Sequence, residues 1–271
     1  MNKTECIQNT KLFLFDMDGT LYLGNRLYDF TKELLDKIVE SGRNYMFMTN
    51  NSSKSVEDYI LKLKNMGISS TQADFITSSQ ATIHYLKGHY PNAVLYVCGT
   101  ESLKKELRGA GFLVTDDLAQ VECIVMGFDT ELTFRKLEDI CKLLSGREIP
   151  YIATNGDYVC PTEFGSVPDC GSVCDMIFNA TGKRPLVIGK PSPLMPELAL
   201  EMTGIPKEHT AVIGDRIYTD IKSGLRAGVA SILVLTGETT FEILNTSEDK
   251  PHFVMESAKE ILGILNGENI Q

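Results

Sequence analysis

KLFLFDMDGT, residues 11–20, decides the architecture of this chain. An uninterrupted apolar run, 12–15, stops at two carboxylates, Asp16 and Asp18, that flank a single methionine. Four apolar residues without alternation mark a strand buried on both faces, as in a parallel sheet. Ending such a strand in two acids is costly unless they share a task. Carboxylates about 4 Å apart repel by about 1 kcal/mol in water and by about 4 kcal/mol at an effective dielectric near 20.

Working outward, the same grammar repeats. Periodicity predicts helices over 30–39 and 56–65, strands over 44–48 and 74–77, and a helix over 80–86 whose start Ser78 and Ser79 can cap. The second strand runs into Thr49, Asn50, Asn51, Ser52 and Ser53, so a polar tip again follows an apolar run. Successive strand, tip and helix units imply parallel strands joined by right-handed crossovers, with all tips on one edge of the sheet. Ligands of such sheets bind beyond the carboxyl ends of the strands, which places Asp16, Asp18 and Thr49 at one crevice.

The middle of the chain reads as a second set: strands over 93–97, 123–126 and 151–153 and helices over 101–107, 134–144 and 171–180, interrupted by TNGD (154–157) and a Gly/Pro-rich stretch, 161–171. The first pattern then resumes, with strands over 186–188, 210–213, 230–235 and 253–255 and helices over 194–203, 217–227 and 257–265. The strand over 210–213 ends at Gly214 and Asp215, with Asp220 one turn further, and the strand over 230–235 ends at Thr236 and Gly237. The expected fold class is α/β: a Rossmann-like parallel sheet core with helices on both faces, formed by 1–82 and 183–271, and a smaller α/β domain inserted as 83–182.

Composition bounds the partners. The 271 residues are 43% apolar, enough for a sizeable core, and 26 basic against 36 acidic residues give a net charge of −10. That balance argues against a basic surface for nucleic acid. The N-terminal MNKTECIQNTK lacks an apolar signal core, and no run approaches the roughly 18 apolar residues of a membrane span, so a cytoplasmic protein is expected. Seven cysteines at irregular spacings read as reduced thiols, packed as small apolar groups.

Asp16, Asp18, Asp215 and Asp220 converging on one edge call for a cation, and an all-oxygen set open to phosphate favours Mg²⁺ over zinc. Competing motifs fail on the letters. An EF-hand loop opening at Asp16 needs glycine and glutamate where Leu21 and Leu27 stand. A P-loop ending at Lys190 needs glycine at Arg184 and serine or threonine at Pro191. No G-x-G-x-x-G follows a strand, which removes a dinucleotide site.

Taken in order, DMDGTLYLG (16–24), MTNNSS (48–53), IGKPSP (188–193) and GDRIYTDI (214–221) resemble the four motifs of the haloacid dehalogenase-like superfamily of aspartate-dependent phosphatases. GFDTELT and ATNGDYVCPTE within the insert are similar to the α/β cap of its NagD-like, 4-nitrophenylphosphatase-like branch. The resemblance spans nearly the whole chain.

It implies Asp16 as nucleophile and Asp18 as the acid, then base, that serves the leaving oxygen and the attacking water. Mg²⁺ would be held by Asp16, the Asp18 carbonyl and Asp215, with Asp220 either a water-mediated ligand or an orienter of Lys190. Thr49, Asn50 and Asn51 would bind phosphoryl oxygens, and Lys190 would offset accumulating charge. The insert would close as a cap and choose the substrate, a small phosphorylated metabolite, through Asn155, Asp157 and the loop bearing Asp169, Cys170 and Gly171. VPDCGS stands there in place of the glycine-rich run of many relatives, so Asp169 and Cys170 are departures, and a solvent-facing Asp169 is an equal expectation. A phosphoryl transferase or mutase, or a non-catalytic phosphometabolite-binding protein, stays open beside hydrolysis. A homodimer is allowed, without an interface signature.

Overall fold

The computed structural model describes residues 2–162 and 164–268. In chain order the strands are β1 (Leu12–Phe15), β2 (Tyr22–Leu23), β3 (Arg26–Leu27), β4 (Asn44–Thr49), β5 (Phe75–Thr77), β6 (Leu95–Cys98) and β7 (Cys123–Met126). They continue as β8 (Tyr151–Ala153), β9 (Val159–Thr162), β10 (Gly165–Pro168), β11 (Leu186–Val187), β12 (Thr210–Gly214), β13 (Ala230–Val234) and β14 (Phe253–Met255). The chain divides into two compact units, one of residues 1–49, 60–76 and 190–271, the other of residues 50–59 and 77–189.

The first unit is built on a six-stranded sheet in the order β14-β13-β12-β1-β4-β5, parallel in every pairing from β14 through β4. β1 sits near its middle, and Leu12, Phe13, Leu14 and Phe15 are all fully buried. That explains the unbroken apolar run, since both faces of a central parallel strand are covered. β1 pairs in register with β12, Phe15 opposite Ile213, and with β4, Phe15 opposite Phe47. The residues at the ends of these strands and just beyond them, Asp16 after β1, Gly214–Asp215 at the end of β12 and Met48–Thr49 at the end of β4, therefore emerge at the same edge. The antiparallel pair β2–β3 leaves that edge directly after Asp18.

The second unit carries a four-stranded parallel sheet, β11-β8-β7-β6, and the antiparallel pair β9–β10. Its core gathers Tyr96, Ile124, Met126, Ile140, Leu143 and Ile177 with the buried thiols of Cys98, Cys170 and Cys174. All seven cysteines are free, five of them buried, as expected for thiols used as apolar filler.

Several local expectations are corrected. The helix after β5 spans Ser78–His89, and its cap is Thr77 rather than the serines. The Thr77 hydroxyl accepts from the Gln80 amide at 3.1 Å while the Gln80 side chain accepts from the Thr77 amide at 2.8 Å, a reciprocal capping box. Ser78 and Ser79 are thereby buried in its first turn. The stretch read as aperiodic, 161–171, forms most of the β9–β10 hairpin, because cross-strand pairing is not visible in a Gly/Pro-rich segment. Helices Lys3–Asn9 and Phe241–Thr246 were not anticipated; both are under two full turns, too short for periodicity to register. The expected helix over 217–227 opens as a π-helical turn, Ile217–Ile221, before the α-helix Lys222–Ala227. No helix among the described residues is long and apolar enough to cross a membrane.

Candidate active site

In the first unit, two neighbouring strands, β1 and β12, deliver three acids to one point. Ligand oxygens of Asp16, Asp215 and Asp220 all lie within 4.8 Å of one another. Lys190 enters from the loop after β11, and its Nζ donates to Asp16 Oδ1 at 2.6 Å, to Asp220 Oδ1 at 2.6 Å and to the Met48 carbonyl at 3.1 Å. A lysine this buried, 2% exposed, requires paired charge, and the two carboxylates supply it. Asp220 is held from its other oxygen by the Arg216 amide at 3.1 Å, across the π-helical turn. π-helical turns are rare, and those that occur lie frequently at functional sites.

Asp215 differs from its neighbours. Its Oδ2 accepts from the Glu238 amide at 2.7 Å, but its Oδ1 is buried with no hydrogen-bond partner among the described residues. A buried carboxylate oxygen left without a donor is expensive unless something else takes it. Three carboxylates also face a single ammonium, an excess of negative charge that a divalent cation would balance. The donor set is all oxygen, the kind that hard divalent cations prefer, so these residues fit such an ion.

The electrostatics follow from that excess. Burial pushes the Asp16 carboxyl well above the usual range, the Lys190 ammonium pulls it back, and the charges of Asp220 and Asp215 raise it again. Burial, with Asp220 adding, lifts Asp215 to about 6. For Lys190, burial works against the ammonium, but the Asp16 and Asp220 carboxylates outweigh it and hold the group above its ordinary range.

Asp18 stands apart. Its side chain is exposed, and Oδ1 accepts a long 3.4 Å hydrogen bond from the Gly24 amide at the turn of the β2–β3 pair. The Gly19 amide donates to the Tyr22 carbonyl at 2.8 Å, so this hairpin fixes the direction in which the chain leaves Asp18. Thr49 ends β4 one residue beyond the carbonyl that Lys190 touches.

The remaining candidates belong to the second unit and form a network of their own. Asn50 Nδ2 donates to Asp157 Oδ2 at 2.7 Å, and Asn155 Nδ2 donates to the same oxygen at 2.9 Å and to Asp169 Oδ1 at 3.1 Å. Asn51 Oδ1 accepts from the amide and hydroxyl of Ser53, a local turn that shapes the loop. Asp169 is buried rather than solvent-facing, because its side chain caps the helix Cys170–Thr181 by accepting from the Cys170 amide at 2.5 Å. The Cys170 thiol is buried 3.9 Å from that of Cys174. The Gly171 amide donates to the Asp157 carbonyl at 2.8 Å. Glu163, the last residue of the ATNGDYVCPTE match, lies outside the described residues.

Sequence reasoning missed Gly237 and Glu238. Besides the Glu238 amide on Asp215, Glu238 Oε2 pairs with Arg216 Nε at 2.9 Å, and a side chain at Gly237 would place its Cβ 2.0 Å from Asp215 Oδ2. The signal was available: Thr236 and Gly237 follow a strand on the same edge as the acids.

A parallel sheet that gathers carboxylates and a buried lysine at its strand tips defines a class. The chain belongs to the haloacid dehalogenase-like hydrolases, and within them to the phosphoester hydrolases. The family model for haloacid dehalogenase-like hydrolase matches residues 13–113, and a second, HAD-hydrolase-like, matches residues 187–261. An acid sugar phosphatase of Staphylococcus haemolyticus is 34% identical over 247 residues, covering 91% of this chain and 93% of that protein. The crystal structure of a 4-nitrophenylphosphatase from Thermotoga maritima is 40% identical at a TM-score of 0.90, covering 95% of this chain and 98% of the other. A glycerol phosphate phosphatase from Mycobacterium tuberculosis, solved in complex with calcium, is 26% identical at a TM-score of 0.87, covering 94% of this chain and 76% of that one.

Proposed function

We propose that this chain is a Mg²⁺-dependent phosphomonoester hydrolase that works through an aspartyl phosphate on Asp16, with sugar phosphates and other small phosphorylated metabolites as its substrate class. The observation that carries the reading is Lys190, buried and shared between Asp16 and Asp220 at 2.6 Å each, beside the Asp215 Oδ1 that has no partner among the described residues.

Asp16 attacks phosphorus and takes the phosphoryl group, which divides one displacement into two easier ones. Asp18 gives a proton to the leaving oxygen in the first step and accepts one from water in the second. Its exposed side chain suits a group that must meet both a leaving group and solvent. Lys190 bears on the nucleophile itself: its contact with Asp16 lowers the charge that builds up as carboxylate and phosphate approach. Asp220 accepts from both Lys190 and the Arg216 amide, which favours the orienting role over direct ligation. Thr49 and the start of the Asn50–Asn51 loop supply donors for the phosphoryl oxygens.

Asp16, Asp215 and the Asp18 carbonyl would hold the cation. When bound, Mg²⁺ supplies charge neutralisation and a fixed template for phosphoryl oxygens, which together with positioning is most of what phosphoryl transfer requires. Residues 83–182 act as the cap that selects substrate, and the protein works in the cytoplasm, as a monomer or homodimer. Release of inorganic phosphate from a panel of sugar, glycerol and nucleoside phosphates with Mg²⁺ tests the reading. One phosphate per substrate consumed is expected, whereas conversion to an isomeric phosphate without release would identify a mutase, and no turnover of any panel member would identify a binding protein.

A further inference from the structure

Within the second unit, residues 154–157 hold two residues, Asn50 and Gly189, that are chain neighbours of phosphate-handling candidates. Asn50 follows Thr49 in the chain, and Gly189 precedes Lys190. Within the second unit, Asp157 Oδ2 accepts from Asn50 Nδ2 at 2.7 Å, and the Thr154 carbonyl accepts from the Gly189 amide at 2.8 Å. There is no room at Gly189 for anything larger: an added Cβ would lie 2.5 Å from the Thr154 carbonyl oxygen and 2.6 Å from Asn50 Oδ1. Ser52, two residues beyond Asn50, is held as well, with its hydroxyl 2.8 Å from Thr154 Oγ1 and accepting from the Phe128 amide at 2.9 Å. Asp157 and Asn155 are 4% and 0% exposed, so these bonds are made away from water, where polar contacts are strong and their loss is costly.

We propose that Asp157 is a positioning residue for phosphate binding, acting through the side chain of Asn50, an inference that rests on the phosphatase reading above. A carboxylate at position 157 can only accept, so it fixes the orientation of the Asn50 amide, with Nδ2 as donor and Oδ1 turned away from Asp157. The Asn50 side chain, and with it the start of the loop that leaves Thr49, is thereby held in one conformation. A displacement on the order of 1 Å at such a group costs about 100-fold in rate.

Removing and then keeping the acceptor at position 157 tests this. Asp157→Ala leaves the Asn50 amide without its acceptor and should raise KM, weaken inorganic phosphate binding followed by calorimetry, and cost about 100-fold in kcat/KM for 4-nitrophenyl phosphate, while the variant remains folded by circular dichroism. Asp157→Asn can still present one oxygen to both the Asn50 and Asn155 amides and should recover at least about tenfold of that loss, with phosphate binding recovering in parallel. An Asp157→Asn protein as impaired as Asp157→Ala, or an Asp157→Ala protein that melts lower but binds phosphate and turns over as the parent does, would overturn the proposal. Phosphate binding is read without turnover, so an inactive parent enzyme would count against the phosphatase reading and leave this test intact.

Discussion

Two regions of this molecule bury carboxylates, and they do so to opposite ends. At the strand tips of the first unit, Asp16, Asp215 and Asp220 crowd around one lysine, and Asp215 keeps a buried oxygen with no donor among the described residues. In the second unit, Asp157 and Asp169 are as deeply buried, yet amide groups of Asn50 and Asn155 and the amide of Cys170 are aimed at them. The first arrangement is electrostatically unfinished and so able to take a cation and a phosphoryl group. The second is complete as it stands, which suits a framework. Burial of an acid therefore says little about its role, and the donors around it say much.

The sharpest way to break the comparison is at Asp16. Asp16→Asn should lower kcat on 4-nitrophenyl phosphate by on the order of 10⁴-fold, since an amide is a poor nucleophile toward phosphorus. Steady-state kinetics with Mg²⁺ checks this, and retained turnover would remove Asp16 from the chemistry. Lys190→Met should cost about 10²–10³ in kcat. It should also cost about 3–5 kcal/mol of stability in metal-free protein, because Asp16 and Asp220 lose their shared counter-charge. Urea unfolding with and without Mg²⁺ separates the two effects, and the cation should return part of the stability.

The acids of the first unit were legible because their signal is local: an apolar run that stops at a charge, repeated in order along the chain. The parallel core followed from the same repetition. Gly237 and Glu238 were passed over although their strand was seen, because a backbone amide as donor to Asp215 and the clearance that only glycine allows leave no mark in residue chemistry. Asp169 was misplaced for a related reason. Its position before a helix made it a cap, but the helix start fell one residue earlier than periodicity suggested, and a residue read as facing substrate or solvent turned out to be buried.

A pH experiment sharpens the contrast. Asp215 has a folded-state carboxyl at about 6, above its ordinary 3.8. The metal-free folded state therefore binds this proton more tightly than the unfolded chain does, and the stability it contributes is present below about 3.8 and lost as pH rises through about 6. A cation competes with that proton, so the rise in melting temperature caused by Mg²⁺ should be larger at pH 7.5 than at pH 5. Asp215→Asn should reduce this pH dependence, leaving the part that Asp16, also held above the usual carboxylate range, contributes. A Mg²⁺ shift that does not change with pH would argue against Asp215 as a ligand.

The smallest expected effect lies in the second unit. Asp169→Ala removes a helix cap and should lower stability by about 0.5–2 kcal/mol, with Asp169→Asn recovering most of it, since an asparagine side chain also caps well. Thermal melting of the two variants checks this, and equal losses in both would mean that the charge of Asp169, not its capping oxygen, is what the site uses.

The central claim is that the unfinished cluster performs covalent chemistry at Asp16, and the most direct measurement is acid-quenching of the Mg²⁺ enzyme during turnover followed by peptide mapping by mass spectrometry. The account predicts one phosphoryl group on the peptide that contains Asp16, absent from Asp16→Asn. A phosphoryl group trapped on any other residue while turnover proceeds would contradict it.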